Sequence, residues 1–501
     1  MEKLKRTIFF WTLVLLFILI TPIIVLRARG YRFDTNRGVF VHSGTITIKS
    51  NPQSVDINLN NELIKSGSLN RINNSYNITG LIPKDYSMTV AADGFQIWSK
   101  KTEVHSDLSS EFWNILLVKN NYEKISYSAV GINKYFISPK DTKLVFTENI
   151  ADGITAKILN IKGNEIESIF NISGWNFVAS SRKENIEWSP EEDYLSLPVE
   201  KIVSQGTNKK TDISSAAEII EYAYFILDPA NETAFNLNDF LGKSNIKYVR
   251  WDPQDKNYLF FLSENSLYRA NITNNSDIVL IADEVTSYEL SQTSVYYSQS
   301  PNNLIYKSSL DGKSGPTQIT YSFPNSSSVY IEKLIVYDES RIALINTDKE
   351  LFIYNEGDHD KYFKKLEGHI EGLQFSDDGK KMLFWSRNEI FVYFLRDWNV
   401  QPIRSENEIQ NVTRYSEEIN NTQWFKDYEH IIFSSGKYVK IIELDSRDHR
   451  NCMDILSTNI DDPYIVYNNS LEVLFFSDRL NESTNILNSI VFPEKTNILG
   501  L

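Results

Sequence analysis

One sequence pattern recurs over most of the chain, and it constrains the fold more than any other feature. Each copy has an apolar or aromatic residue, then a polar turn with Ser, Pro or Asp, then a hydrophobic strand. Successive copies are 38 to 63 residues apart between about Asn121 and Leu501. A period of this length with several short strands predicts the four-stranded blades of a β-propeller. We count eight copies, which begin at Phe136, Ile186, Val249, Tyr288, Ile335, Leu373, Thr422 and Tyr464.

The turns within the copies carry a resemblance to known propellers. Trp188-Ser-Pro190 and Phe375-Ser-Asp-Asp-Gly379 match best the Trp-Ser-Pro-Asp-Gly repeat of TolB-type and WD-like propellers, which this segment resembles. Pro fixes φ and donates no N–H, and Gly accepts the positive φ of a hairpin turn, so both interrupt strands. The fourth, fifth and eighth copies match this repeat less closely. Eight blades are therefore predicted, and a propeller of seven blades is the alternative if one of these copies is a decorated hairpin.

An uncharged apolar run precedes the repeats. Residues 7–26 contain 20 residues without a charge, enough for a helix to span the roughly 30 Å hydrocarbon core of a bilayer. The run is a transmembrane helix or a signal sequence. Arg27, Ala28 and Arg29 follow directly, without the small-residue cleavage pattern of a signal peptide. We therefore expect residues 1–29 to be a cytoplasmic stub and an uncleaved membrane anchor.

The flanking charges leave the orientation of this anchor open. The positive-inside comparison is nearly balanced between Lys3, Lys5 and Arg6 on one side and Arg27, Arg29 and Arg32 on the other. Long domains translocate largely regardless of flanking charge, so we place the N-terminus in the cytoplasm and the bulk of the chain outside it. A propeller facing the cytoplasm would require the opposite orientation.

Residues 30–120 show the alternation of half-buried strands. Ile46 and Ile48 alternate with threonines, and alternation returns at Val55 to Leu59 and at Tyr86 to Val90. A return strand follows the Asp93-Gly94 turn, and a last strand is predicted near Trp113 to Val118. About four to six strands in this length predict a small β-sandwich.

This segment resembles the PEGA domain, a small β-sandwich common in bacterial and archaeal surface proteins. The resemblance is carried by Gly44-Thr-Ile-Thr-Ile, Asn51-Pro52-x-x-Val55, Pro83-Lys-Asp-Tyr86 and Asp93-Gly-Phe-x-x-Trp98. The Pro-Glu-Gly-Ala-like tetrapeptide is absent, and Asn60-Asn61 stands where a Gly usually closes the next hairpin. Asn tolerates the left-handed conformation that such a turn needs. The resemblance implies an envelope location and a spacer or binding role, without catalytic residues.

Composition limits the partners. The formal net charge is -14, whereas nucleic-acid binding depends on clustered Lys and Arg, so no nucleic-acid partner is expected. Frequent Asn, Ile and Lys are typical of an AT-rich microbial genome. The whole chain is thus predicted to be all-β apart from its anchor, with the propeller at residues 121–501.

No motif for catalysis, a cofactor or a metal is evident in the sequence. Asp358-His359-Asp360 with His369 is the nearest group to a metal-ligand cluster, although a charged loop between blades explains the same residues better. The remaining histidines are scattered, at His42, His105, His430 and His449. Trp175, Trp188, Trp251 and Trp424 would suit sugar stacking if exposed, but their repeating position favours the core. No catalytic, cofactor-binding or metal site is predicted.

These observations favour a non-enzymatic binding or scaffolding protein of the cell envelope. It would be anchored in the membrane through residues 7–26. Its ligand would be a cell-wall glycan, a surface-layer component or another envelope protein. The polar stretch Ser204 to Ser215 is expected to be a surface loop. The alternative is a propeller enzyme acting on polysaccharide or peptide. It would bring two carboxylates, or a His and a carboxylate, together at the axial mouth.

Overall fold

The computed structural model describes residues 2–67, 73–132, 134–178, 184–203, 219–324, 330–482 and 484–493. It begins with helix α1 (Glu2–Ala28), which contains Pro22. Lys3–Ala28 is long and apolar enough to cross a membrane, and none of its apolar window is buried against other residues. The helix is compatible with a single-pass anchor and with a signal sequence, and the predicted orientation stays a prediction.

Two strands follow the helix as a hairpin, β1 (Tyr31–Asp34) and β2 (Val39–His42). Seven strands then form two sheets, of order β6-β3-β9 and β5-β4-β7-β8, with the bounds that follow. They are β3 (Gly44–Asn51), β4 (Asp56–Leu59), β5 (Glu62–Lys65), β6 (Ser75–Leu81), β7 (Asp85–Ala91), β8 (Trp98–Glu103) and β9 (Ser109–Leu116). The two sheets make the predicted β-sandwich.

The alternation predicted for this sandwich is confirmed. Ile46 and Ile48 of β3, Ile57 of β4, and Met88 and Val90 of β7 have no exposed surface. These side chains point to one face of their strands because successive residues of a strand alternate between faces. They meet between the two sheets in one hydrophobic core.

The expected number of strands was too low, since seven are present where four to six were predicted. The missed strands β5 and β6 lie at sheet edges, and few of their side chains are buried. Neither strand alternates regularly between buried and exposed side chains, so its sequence has no period-two pattern. Asn60 and Asn61 have φ values of 51° and 67° in the turn between β4 and β5, so Asn does supply the left-handed conformation that a Gly would otherwise provide.

After the sandwich, the residues that the structure describes form eight antiparallel sheets. A single strand, β10 (Ile125–Val130), precedes them. The first two sheets contain β11 (Tyr135–Ile137), β12 (Lys143–Ile150), β13 (Gly153–Asn160) and β14 (Glu165–Ser173), then β15 (Asn176–Phe177), β16 (Glu187–Trp188), β17 (Leu195–Val203), β18 (Ile219–Asp228) and β19 (Thr233–Asn236). A short helix, α2 (Leu237–Leu241), follows.

Three further sheets follow with four strands each. They contain β20 (Lys247–Trp251), β21 (Tyr258–Ser263), β22 (Ser266–Asn271) and β23 (Ile278–Ala282); β24 (Val285–Leu290), β25 (Ser294–Gln299), β26 (Leu304–Ser309) and β27 (Thr317–Gln318); and β28 (Ile331–Asp338), β29 (Arg341–Asn346), β30 (Leu351–Glu356) and β31 (Lys361–Glu367).

The last three sheets bring the chain to its C-terminal end. They contain β32 (Ile370–Phe375), β33 (Lys381–Ser386), β34 (Glu389–Phe394) and β35 (Ile409–Arg414); β36 (Asn420–Trp424), β37 (His430–Ser435), β38 (Tyr438–Glu443) and β39 (Cys452–Ser457); and β40 (Ile465–Asn468), β41 (Val473–Asn481) and β42 (Thr484–Val491). This final set is completed by β10, which pairs with β42.

The strand β10 therefore closes the ring, and we call it the closing strand. The eighth sheet has the order β10-β42-β41-β40, so its outer strand comes from the start of the repeat region and its other strands from the end. Pairing the two ends in one sheet leaves the ring without a seam of unpaired strands, which is the arrangement that closed β architectures use to remove edges. The chain is a β-propeller of eight sheets.

All eight sequence copies coincide with these sheets. Each copy begins in or next to the first strand of a sheet: β11, β16, β20, β24, β28, β32, β36 and β40. The predicted count of eight is confirmed, including the three copies with the loosest pattern. The predicted loop from Ser204 to Ser215 lies outside the described residues, and the domain boundaries at residues 30 and 121 stay predictions.

The sandwich packs directly on the ring. Its hydrophobic core is continuous with side chains of the seventh and eighth sheets, among them Phe425, Ile432 and Leu474. Trp98 of β8 donates its indole N–H to Glu443 of β38 at 2.9 Å. Lys100, two residues further along β8, forms an ion pair with the same carboxylate at 2.8 Å. We call these contacts the sandwich–ring junction.

Candidate functional site

A cavity of about 430 Å³ lies between the first strands of consecutive sheets. Strands β16, β20, β24 and β28 supply much of its lining, and β32 contributes Glu371. Strands β24 and β28 are in direct contact although they begin different sheets. First strands that meet across sheets are the innermost strands of a propeller, so we call this space the axial cavity.

Charged side chains dominate the lining. Two cations, Arg250 and Lys333, face the cavity together with five carboxylates. The carboxylates are Glu184, Glu187, Glu289, Glu332 and Glu371. They come from separate parts of the chain, because no first strand contributes more than one of these carboxylates. The lining therefore has more negative than positive groups.

Arg250 lies between two of these carboxylates. Its Nε donates to Glu187 at 2.9 Å, and its Nη1 donates to Glu289 at 2.8 Å. Glu187, Arg250 and Glu289 belong to β16, β20 and β24, so the ion pairs connect three successive sheets. Charge-assisted hydrogen bonds from a planar guanidinium are strong and directional. They fix the spacing of these first strands at the axis.

Burial and the ion pairs change the pKa values of Glu187 and Arg250. Burial raises the pKa of Glu187, and the neighbouring Arg250 opposes that rise without cancelling it. The carboxylate of Glu187 raises the pKa of Arg250 despite burial, so the guanidinium stays charged. About 29% of the Glu187 side chain is exposed, and Glu187 lines the cavity.

Two tyrosines complete the floor of the cavity. The Tyr224 hydroxyl donates to Glu184 at 2.9 Å, and the Tyr288 hydroxyl donates to the backbone carbonyl of Tyr248. Burial raises the pKa of both Tyr224 and Tyr288 well above the usual tyrosine range. Both hydroxyls therefore remain protonated and act as hydrogen-bond donors.

Sequence reasoning missed the axial residues, although the repeats contain a signal for them. Glu187 and Arg250 each stand immediately before the tryptophan of their copy, and Glu289 occupies the same register in the fourth copy. The aromatic residue faces between sheets, so the residue before it faces the opposite side of the strand. Aligning the copies at their aromatic position would have identified this column of axial side chains.

The four tryptophans considered for sugar stacking are all in the core. Trp175, Trp188, Trp251 and Trp424 are between 2% and 8% exposed, which confirms the core interpretation. Two of them connect neighbouring sheets at the axis. Trp251 donates its indole N–H to the carbonyl of Glu187, and Trp424 donates to that of Gln374, both at 3.1 Å.

The residues considered for a metal site are not brought together as ligands. His359 pairs through Nε2 with Asp397 at 2.8 Å, and Asp358 pairs with Arg396 at 3.4 Å. In the part of the chain that the structure describes, no group of three or more His, Cys, Asp or Glu side chains could hold a metal ion. The charged-loop interpretation accounts for these residues.

The axial cavity can bind a cationic group, and burial raises the pKa of one of its carboxylates, Glu187. A positively charged side chain would be attracted by the excess of carboxylates in this concave space, where screening by solvent is weaker than on a flat surface. The carboxylates also meet the criterion that distinguishes the enzyme alternative, since more than two lie together at the axis. Arg250 is already ion-paired with Glu187 and Glu289, however, which favours binding over proton transfer.

No family model matches this chain, and no curated protein sequence matches it. Among solved structures, the chain is similar to the Dos1 propeller at 10% identity and a TM-score of 0.45, over 74% of this chain and 94% of that one. It is similar to Hsv2 of Kluyveromyces lactis at 10% identity and a TM-score of 0.39, over 65% and 98% of the two chains.

A third similar structure is the β-propeller domain of Cps50 (Swd1) from Myceliophteria thermophila. It has 12% identity and a TM-score of 0.36, over 60% of this chain and 95% of that one. Identities this low carry no information on activity or partner, and the closed ring is established by the strand pairing of the chain itself.

Proposed function

We propose that this chain is a membrane-anchored scaffold of the cell envelope, displayed outside the cytoplasm, in which the ring binds a partner and the sandwich is a spacer. Three features support the proposal: an apolar N-terminal helix, a small β-sandwich resembling envelope domains, and a closed ring with an axial cavity. Of the partners expected from the sequence, a cell-wall glycan, a surface-layer component or an envelope protein, we favour a protein.

The observation that carries this choice is the charge of the axial cavity. Five carboxylates and two cations line it, while the four tryptophans that could stack on sugar rings are buried. Glycan sites depend on exposed aromatic faces, whereas a carboxylate-lined cavity suits a lysine or arginine side chain of a protein. The proposed partner therefore inserts a basic side chain at the axis.

The test compares retention of membrane proteins on two variants of the full chain in lipid nanodiscs. Glu332→Gln with Glu371→Gln removes two axial charges and leaves the Arg250 ion pairs intact. Glu191→Gln with Glu221→Gln is the matched control, because these paired carboxylates lie away from the cavity. We expect a severalfold loss of retention for the axial variant alone, steepest at low salt.

Equal retention by both variants would show that the axial cavity is not the binding site. Purified cell-wall sacculi and extracted surface polysaccharide serve as parallel probes. Retention on either one, insensitive to the axial variant, would favour a glycan partner.

The second candidate is an enzyme acting on polysaccharide or peptide, and Glu187 is the observation that favours it. A carboxylic acid whose pKa is raised by burial can donate a proton to a leaving group. Release of soluble fragments from sacculi or polysaccharide, abolished by Glu187→Gln, would support this candidate and overturn the scaffold proposal.

A further inference from the structure

The hairpin formed by β1 and β2 has an unusual position and composition. Only Arg29 and Gly30 separate it from the end of α1. Residues 27–37 contain four arginines and one carboxylate, in a chain whose formal net charge is -14. This basic stretch adjoins the apolar helix and differs from the acidic remainder of the chain.

One face of the hairpin is fixed to its neighbours. Arg32 donates through Nη1 to the carbonyl of Arg27 at the end of α1, at 3.2 Å. The same guanidinium lies against Gly80 of β6, where an added Cβ would be 2.7 Å from its Nη2 atom. Ser43, just after β2, donates its hydroxyl to the carbonyl of Gly30 at 2.7 Å. The hairpin is therefore held against both the helix end and the sandwich.

The other face carries two exposed aromatic rings. Phe33 and Phe40 are directly opposite in the strand register, so their side chains share a face that excludes Arg32. Their ring centroids are 5.2 Å apart in an edge-to-face arrangement. Phe33 is 48% exposed and Phe40 is 47% exposed. Such a patch in water marks a contact surface.

The distance to the helix end identifies what covers this face. Phe33 is five positions after Ala28, which allows at most about 18 Å of extended chain between them. The polar headgroup zone begins where the apolar helix ends, and aromatic side chains prefer that zone. Arginines add attraction to anionic headgroups. Both properties point to a bilayer surface rather than to a protein partner.

We propose that the β1–β2 hairpin is a second membrane contact, in which Phe33 and Phe40 enter the headgroup zone and Arg27, Arg29 and Arg37 face anionic lipids. The inference rests on the membrane anchoring by α1 that the proposed function includes. It holds for either orientation of the helix. Its consequence is that the sandwich has a fixed tilt relative to the membrane, instead of turning freely on a flexible tether.

The test uses the full chain in vesicles of phosphatidylcholine and phosphatidylglycerol, with an environment-sensitive fluorophore on a single cysteine. Cys452, the only native cysteine, is first replaced by Ser. Phe40→Cys then reports on the hairpin, Leu63→Cys on an exposed sandwich position, and Leu15→Cys on the helix. The probe is a lipid that carries a nitroxide quencher at headgroup depth.

We expect severalfold stronger quenching at position 40 than at position 63, and a clear decrease at position 40 in vesicles of phosphatidylcholine alone. Quenching at position 15 with equal, weak quenching at positions 40 and 63 would overturn the hairpin inference and leave the anchor in place. If a quencher placed deep in the acyl chains does not affect position 15, the anchor itself fails, and the inference fails with it.

Discussion

Lys100 is a charged residue with almost no exposed surface, and its contacts explain how the sandwich is attached to the ring. Its ammonium group forms the 2.8 Å ion pair with Glu443 and donates to the backbone carbonyls of Asp445 and Arg447 at 2.9 and 3.0 Å. It also donates to the carbonyl of His449. A buried ammonium is tolerated only when its donors are all satisfied, as they are here.

Replacing Lys100 should therefore lower the stability of the chain, whereas replacing an exposed lysine removes the same charge without this loss. Lys100→Met leaves the Glu443 carboxylate buried without its cation, and we expect a loss of about 3 to 5 kcal/mol in the free energy of unfolding. Chemical unfolding of the full chain in detergent micelles measures it. Lys101→Met, the exposed neighbour, is the control, and an equal effect of the two variants would contradict the junction described here.

A histidine near the same junction gives a pH prediction. Burial would lower the pKa of His430, but the charge and the 2.7 Å hydrogen bond of Asp427 outweigh burial and raise it above the ordinary 6.5. Glu443 and Glu429 act in the same direction. The folded state thus binds this proton more tightly than the unfolded state does, so the contribution to stability is full below about pH 6.5 and is lost as pH rises through the folded pKa.

The unfolding midpoint of the native chain should accordingly decrease as pH rises from about 6.5 through the folded pKa of His430. His430→Gln should reduce that slope, while His105→Gln, which alters a histidine with 56% of its side chain exposed, should preserve it. A slope unchanged by His430→Gln would show that another group titrates.

At the scale of elements, the closing strand makes the ring a single unit. Tyr127 of β10 is 7% exposed, packs on Phe475 of β41 with ring centroids 5.8 Å apart, and shares a hydrogen bond of 3.1 Å with Ser489 of β42. These contacts connect residues more than 340 positions apart in the chain. Such a connection restrains both ends of the repeat region at once.

Removing this side chain should open the ring locally. We expect Tyr127→Ala to cost about 3 to 5 kcal/mol, because a large buried ring leaves a cavity. Backbone hydrogen exchange in β41 and β42 should rise before exchange elsewhere in the ring. Tyr438→Ala removes a ring that is 46% exposed and serves as the control. Uniformly faster exchange would contradict a local role for the closing strand.

The elements also show which parts of the fold can be predicted from the sequence. All eight first strands were predictable because each copy carries its own aromatic residue and turn. The closing strand was not, since its partner is at the other end of the chain and its own residues contain no repeat pattern. The axial glutamates and the Lys100 ion pair depend on which strands become neighbours, and local patterns do not contain that information.

At the scale of the molecule, the apolar helix, the basic hairpin, the sandwich and the ring follow one another in chain order. The hairpin is joined to the helix end through Arg32, and the sandwich is joined to the ring through Trp98 and Lys100. Elements that are joined in this order would hold the ring at a set position from the membrane, which suits a scaffold. The proposed scaffold role therefore requires that the ring is displayed outside the cytoplasm.

The most direct test of this central claim is a pair of reporter fusions after Leu501, alkaline phosphatase in one and green fluorescent protein in the other. Alkaline phosphatase is active only outside the cytoplasm, and the fluorescent protein matures inside it. A ring displayed outside the cytoplasm should give phosphatase activity in the membrane fraction and a fluorescent fusion without fluorescence. Bright fluorescence without phosphatase activity would place the ring in the cytoplasm and contradict the envelope scaffold.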